Sequence, residues 1–206
     1  MCSIIGSFSK DKIAELANLN AYRGQHSYSF SYYNLYRAEM TSVTRGLGEL
    51  PIDQINIPED QYCIVHQQAP TTNLKNNTIH PAQIGNKLLW HNGIIKENSI
   101  KKMQNDLFCS HNWDTYLILR QMADLDTPED IDGTFACLYY DGGGLVVFRN
   151  EISPLFIDED FNISSTKTDG FTSIDPNKMF IFEPLGKELS LIKEFNTVEN
   201  PYYFGS

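Results

Sequence analysis

Apolar residues recur at two spacings along the chain, and each spacing predicts an element. CSIIGSFS (2–9) is a short apolar run that reads as a buried strand. Ile13, Leu16, Ala17 and Leu19 then fall at helical spacing within 10–22, with Ser9 placed to cap the start and Gly24 close to the end. SYSFSYYN (27–34) and YRAEMTSVT (36–44) alternate aromatic and polar residues, as paired strands do. The Pro-containing stretch 48–61 reads as a loop leading into a strand, YCIVHQQA (62–69), and the Asn- and Thr-rich stretch 70–81 as a second irregular segment. LLWHNG (88–93) reads as a strand ending in a turn, and 99–107 and 113–125 as helices. The second helix is apolar on several sides (Trp113, Leu117, Ile118, Met122, Leu125), which predicts burial between layers. Strands follow at 134–141, 145–150, 154–158, 178–185 and 189–195. Gly142-Gly143-Gly144 joins two of them; since a strand follows rather than a helix, the glycines read as a hairpin turn and not a phosphate cradle. Strands at both ends with helices between predict a layered domain of mostly antiparallel sheets.

Composition narrows the field. The 206 residues fit one domain or two very small ones. Lys and Arg number 16 against 26 Asp and Glu, a net charge of -10, which argues against non-specific binding to nucleic acid or an anionic membrane. Aromatic residues make up 12%, too many for a disordered chain. No apolar run is long enough to span a bilayer, and the N-terminus lacks the basic and long apolar regions of a secretory signal. A cytoplasmic protein without disulfides is therefore expected. Cys2, Cys63, Cys109 and Cys137 are widely separated with no C-x-x-C pair, and no histidine spacing suggests a ligand set, so neither metal nor cofactor is expected. Cys63, Cys109 and Cys137 read as small core residues, and His66 and His91 as buried, hydrogen-bonded imidazoles on strands. His80 and His111 read as loop residues.

Cys2 directly follows the initiator Met. Removal of Met1 would leave a thiol and a free α-amine on one residue. The amine, with an ordinary pKa of about 7.7–8.0, can accept the thiol's proton, directly or through one water. Taken alone, position 2 is simply a small residue. Its neighbours in the motif order give it weight.

MCSIIG, then YRG (22–24), VHQQAPT (65–71), HNGII (91–95) and DT (114–115) together resemble the class II glutamine amidotransferase domain, in the N-terminal-nucleophile hydrolase family. The same order occurs in the glutaminase domains of glucosamine-6-phosphate synthase, amidophosphoribosyltransferase and asparagine synthetase. Asp132-Gly133-Thr134-Phe135-Ala136, Phe148-Arg149 and Ser153-Pro154-Leu155 extend the likeness, so that it covers 2–195. It implies a single domain, 2–206, with an α+β fold, the four-layer αββα sandwich with mostly antiparallel sheets. It also implies roles for single residues. Cys2 would be the nucleophile, with Asn92 (through its side-chain amide) and Gly93 (through its backbone N–H) as oxyanion donors. Asp114 would pair with the α-ammonium of glutamine, and Arg23 would help fix the nucleophile's end of the chain.

The likeness has gaps. Where the family pattern carries an Arg that clamps the glutamine α-carboxylate, this chain has Gln68, which supplies no charge and no fork. Gln68 and Thr71 would recover part of that interaction. After Arg23-Gly24, the chain continues Gln25-His26-Ser27 in place of the usual Pro/Tyr-Asp, and His26 reads as a surface or structural residue. Tyr116 stands where glucosamine-type relatives have Glu, a change in packing rather than chemistry. The resemblance implies hydrolysis of glutamine to glutamate and ammonia through a γ-glutamyl thioester. With no synthetase domain in these residues, the ammonia acceptor would be a separate synthetase or ligase. Two alternatives stay open: a catalytically impaired binding or regulatory homologue, and an amidase for a substrate lacking the α-carboxylate.

Overall fold

A computed structural model describes residues 2–69 and 78–198. Two antiparallel sheets stack face to face and helices cover their outer faces, an αββα sandwich. The first sheet holds seven strands in the order β11-β9-β10-β1-β4-β2-β3 and the second six, β13-β12-β8-β7-β6-β5. In the first, β1 is Ser3–Ser7, β2 Ser27–Asn34, β3 Glu39–Leu47, β4 Gln61–Gln68, β9 Phe156–Ile157, β10 Ile163–Ser164 and β11 Thr172–Ser173. In the second, β5 is Ala82–Ile84, β6 Lys87–Ile95, β7 Gly133–Tyr140, β8 Leu145–Arg149, β12 Lys178–Glu183 and β13 Glu188–Glu194. The helices are α1 Lys10–Asn20, α2 Glu97–Asp106 and α3 Asp114–Leu125.

The short apolar run at the N-terminus becomes a central strand, β1, covered on both faces, which is why it needs no polar alternation. Ile4 points into the core between the sheets, with Ile64, Trp90, Leu138 and Val147. Ile5 points the other way and packs beneath α1 against Ile13, Leu16 and Val65. Ile4, Ile5 and Trp90 are fully buried, and burial of such side chains contributes roughly 1.5–3 kcal/mol each. A third cluster joins the outer face of the second sheet to α2 and α3 through Leu89, Met103, Leu117, Met122 and Phe148. Ser9 caps α1 by accepting from the Lys12 amide, as its position implies.

Two expectations need correcting, and three short strands lie where none was expected. α3 is an outer layer rather than a helix enclosed between layers. Leu117, Ile118, Leu119 and Met122 are buried against the second sheet, whereas Leu125 is 57% exposed and Arg120 pairs with Asp124 on the open side. The His91-Asn92-Gly93 segment is no turn: β6 runs through it to Ile95, paired with β7. β5, β10 and β11 are short ladders inside stretches with no periodic signal. The hairpin at the three glycines forms as expected, with the Gly143 and Gly144 amides donating to Asp141.

Gly24 marks where the first helix meets the site. A Cβ on it would lie 2.2 Å from the Ala69 nitrogen and 2.3 Å from the Gln68 carbonyl carbon, backbone that cannot swing away. Gly24→Ala is expected to destabilise the fold by about 3 kcal/mol, the upper end for an overpacked interior, read as a lower urea midpoint at unchanged slope.

Candidate active site

Cys2 stands at the entry to β1, 6% exposed. β1 pairs with β4 so that Ser3 faces Gln67 and Ile4 faces His66, and β4 pairs with β2 so that Gln68 faces Ser27. The start of β1, the end of β4 and the start of β2 thus meet at one end of the sandwich. Burial pushes the Cys2 thiol up to about 11; the Ala69 N–H and the Arg23 guanidinium offset only part of this, and the Asp114 carboxylate adds to it. With Met1 in place the thiol is therefore held protonated.

Asn92 reaches the same end from the second sheet. Its side-chain amide donates to Ser165 Oγ at 3.3 Å, and that oxygen accepts from the Ile4 amide at 2.9 Å. The Ser165 amide in turn donates to the Ile4 carbonyl at 3.1 Å. Ser165 thereby ties Asn92 to the strand that follows Cys2, a role with no signal in the sequence. The other Asn92 amide hydrogen has no bond to a described residue. At Gly93, φ is +158° and a Cβ would lie 1.8 Å from the Thr134 carbonyl oxygen, so only glycine lets β6 keep this distance from β7.

Arg23 is 7% exposed, and its Nε donates to Thr166 Oγ1 at 3.0 Å. Thr166 Oγ1 also donates to Asn20 Oδ1 at 2.8 Å, so the end of α1 is fastened to the segment after β10. Arg23 Nη1 is buried with no hydrogen-bond partner among the described residues. Asp114 opens α3, where the positive end of the helix dipole favours its charge. Its Oδ1 accepts the Thr115 amide at 2.7 Å.

Gln68 is turned inward. Its Nε2 donates to the Thr78 carbonyl, while its Oε1 accepts from Ser27 Oγ at 3.2 Å and faces His80 Nδ1 at 3.1 Å. Thr71 lies outside the described residues. His80, read from the sequence as a loop residue, is 3% exposed. Its ring stacks on His66 at 3.8 Å between centroids and meets Trp113 edge-on at 5.2 Å. His66 Nε2 faces the His91 carbonyl at 3.0 Å, and His91 Nε2 faces the Thr134 carbonyl at 3.3 Å. His80 Nε2 and His91 Nδ1 both approach the Thr115 hydroxyl, at 3.0 and 3.3 Å.

Burial holds all three imidazoles neutral: His66 is pushed down to about 3, His80 falls well below the ordinary value, and His91 is lowered with partial relief from Asp114. Among the described residues no group of His, Cys, Asp and Glu is arranged to hold a metal ion, and no helix is long and apolar enough to cross a membrane. The four cysteines are free, with Cys63 and Cys137 buried in the cores and Cys109 half-buried. His26 is exposed, and Tyr116 stacks on His111 at 4.2 Å between ring centroids, a packing role.

No family model and no curated protein matches the chain. Solved structures do. The glutamine phosphoribosylpyrophosphate amidotransferase of B. subtilis, complexed with ADP and GMP, superposes with a TM-score of 0.63 at 14% identity, over 87% of this chain and 47% of that one. A structure described as the allosteric regulatory enzyme of purine biosynthesis gives 0.63 at 13% identity, over 94% of this chain and 49% of that one. The chain spans about half the length of each. At these identities the likeness is one of fold. The four-layer αββα arrangement is the one the motif order implied.

Proposed function

We propose that the chain is a glutamine amidotransferase-type amide hydrolase, releasing ammonia from the side chain of glutamine for a separate acceptor protein. The observation that carries this reading is the meeting of Cys2, Arg23, Asn92 and Asp114 at one end of the sandwich, from four separate parts of the chain. With Met1 removed, the Cys2 amine takes the thiol proton as sulfur bonds to the amide carbon. Asn92 Nδ2 and the Gly93 N–H hold the oxyanion. The C–N bond then breaks, and the amine returns the proton to the departing ammonia. Water cleaves the γ-glutamyl thioester to glutamate and free thiol, so one glutamine and one water give one glutamate and one ammonia. Oriented donors of this kind contribute about 10²–10³ in kcat each.

Gln68 favours a second reading of the substrate. Its amide oxygen is engaged by Ser27 and His80 and one of its two amide hydrogens by Thr78, so it offers an incoming carboxylate at most one uncharged hydrogen bond. An amide that keeps the amine and lacks the α-carboxylate fits this arrangement.

Intact mass, ammonia release and thiol labelling test both. Loss of Met1, ammonia from L-glutamine, and alkylation of Cys2 by a glutamine-shaped electrophile are expected. Ammonia from glutamine α-amide but none from glutamine selects the second reading. Retention of Met1 ends both mechanisms, because the amine would then lie on the wrong residue.

A further inference from the structure

The protons in the network beside Asp114 can be counted, because backbone carbonyls fix its ends. The Thr78 carbonyl accepts, so the Gln68 atom facing it is the NH2 and the other is the oxygen. His80 Nδ1, facing that oxygen, must then carry the proton, which leaves His80 Nε2 bare. The Thr134 carbonyl likewise places the His91 proton on Nε2 and leaves Nδ1 bare. Between the two bare nitrogens sits the Thr115 hydroxyl, with one proton and three acceptors: His80 Nε2 at 3.0 Å, His91 Nδ1 at 3.3 Å and Asp114 Oδ1 at 3.3 Å. The network is short of donors. His91 Nδ1 also faces Asp114 Oδ2 at 3.9 Å, lone pair toward carboxylate.

We propose that His91 gates Asp114: a proton on His91 Nδ1 pairs with the carboxylate and competes with the amine cation that Asp114 takes when that nitrogen is bare. The amine-cation role of Asp114 rests on the functional reading above. The gate itself rests on the proton count.

The groups around the pair support its assignment to His91. From β4 comes His66, its Nε2 turned to the His91 carbonyl. From the segment before β5 comes His80, with Arg45 of β3 beyond it, bonded to the Pro81 carbonyl. From β7 comes Cys137, and from the start of β1 Cys2, with Arg23 beyond it. Among these described residues Asp114 is the only carboxylate, and it faces His91. Its exposed side, 24% accessible, is left to a ligand. His91 is thus a positioning residue: it acts through Asp114, setting whether the carboxylate is available.

Calorimetry on the Cys2→Ala protein tests this without turnover. The Kd of L-glutamine should rise tenfold per pH unit below the pair's midpoint, as competition with one proton requires. 4-Carbamoylbutanoate, which has the same amide and carboxylate without the amine, should show no such slope. His91→Asn, which keeps a polar group near the Nδ1 position and cannot titrate in this range, should abolish the slope for glutamine. Ring NMR supplies a measurement that needs no ligand: on acidification His91 should protonate before His66 and His80, and Asp114→Asn should move that event to lower pH. Failure of both L-glutamine and glutamine α-amide to bind at pH 8 would remove the functional reading and leave the gate to the NMR titration. Equal pH slopes for the two ligands, or His66 or His80 protonating first, would overturn the gate.

Discussion

Cys2→Ala is expected to lower amide hydrolysis by on the order of 10⁶-fold, the loss typical of removing a covalent nucleophile. That corresponds to about 8 kcal/mol of barrier. The fold should hardly notice. Cys2 lies before β1 begins, and its sulfur is a small fraction of the packing that Ile4 and Ile5 supply, so the cost in stability is about 1 kcal/mol. The two measurements together are diagnostic: ammonia release gone, thermal midpoint nearly unchanged. Residual activity within tenfold of the native protein would mean that the chemistry runs through another group, since Cys63 and Cys137 are locked in the cores with their thiols pushed up by burial.

The second large effect concerns acid. His66 and His80 are buried neutral, and their folded values lie below the ordinary 6.5, at about 3 for His66. Below pH 6.5 the unfolded chain therefore binds protons that the folded chain refuses. Stability is full above that value and is lost as pH falls toward the folded one. Each such histidine contributes a slope of about 1.4 kcal/mol per pH unit. Two of them remove about 3 kcal/mol between pH 6.5 and 5, a large share of a typical 5–15 kcal/mol. Urea midpoints at pH 7.5 and 5.0 measure it. His66→Gln should flatten the profile by about half while lowering the midpoint at pH 7.5. Coincident midpoints at the two pH values would show that the rings accept protons in place.

Much of the scaffold is legible because its signals are local. Ser9 caps α1 through a hydroxyl three residues from its partner amide, and β2 and β3 alternate within a single hairpin. The candidate site was legible through Cys2, Asn92 and Asp114, each of which lies inside a recognisable motif. His80 was not, because its burial comes from three distant partners, His66, Trp113 and Thr115, and nothing in the surrounding Asn- and Thr-rich stretch is periodic. Ser165 and Thr166 were missed for a related reason: what matters is the partner each finds across the fold, Asn92 for one and Arg23 for the other. The error at His91-Asn92-Gly93 is instructive. Asn-Gly normally signals a turn, and here the same glycine serves close packing of one strand on the next. Local chemistry cannot separate those two uses.

Cys2 sits, buried, at the head of a strand flanked on both sides by other strands. Anyone producing this protein therefore inherits a rule of handling. A tag or fusion partner joined ahead of residue 2 would cap the very amine assigned to the chemistry, and the product could be soluble, folded and inert. Preparations should carry their affinity handle at the other terminus, and an inactive sample should be weighed by mass spectrometry before it is judged.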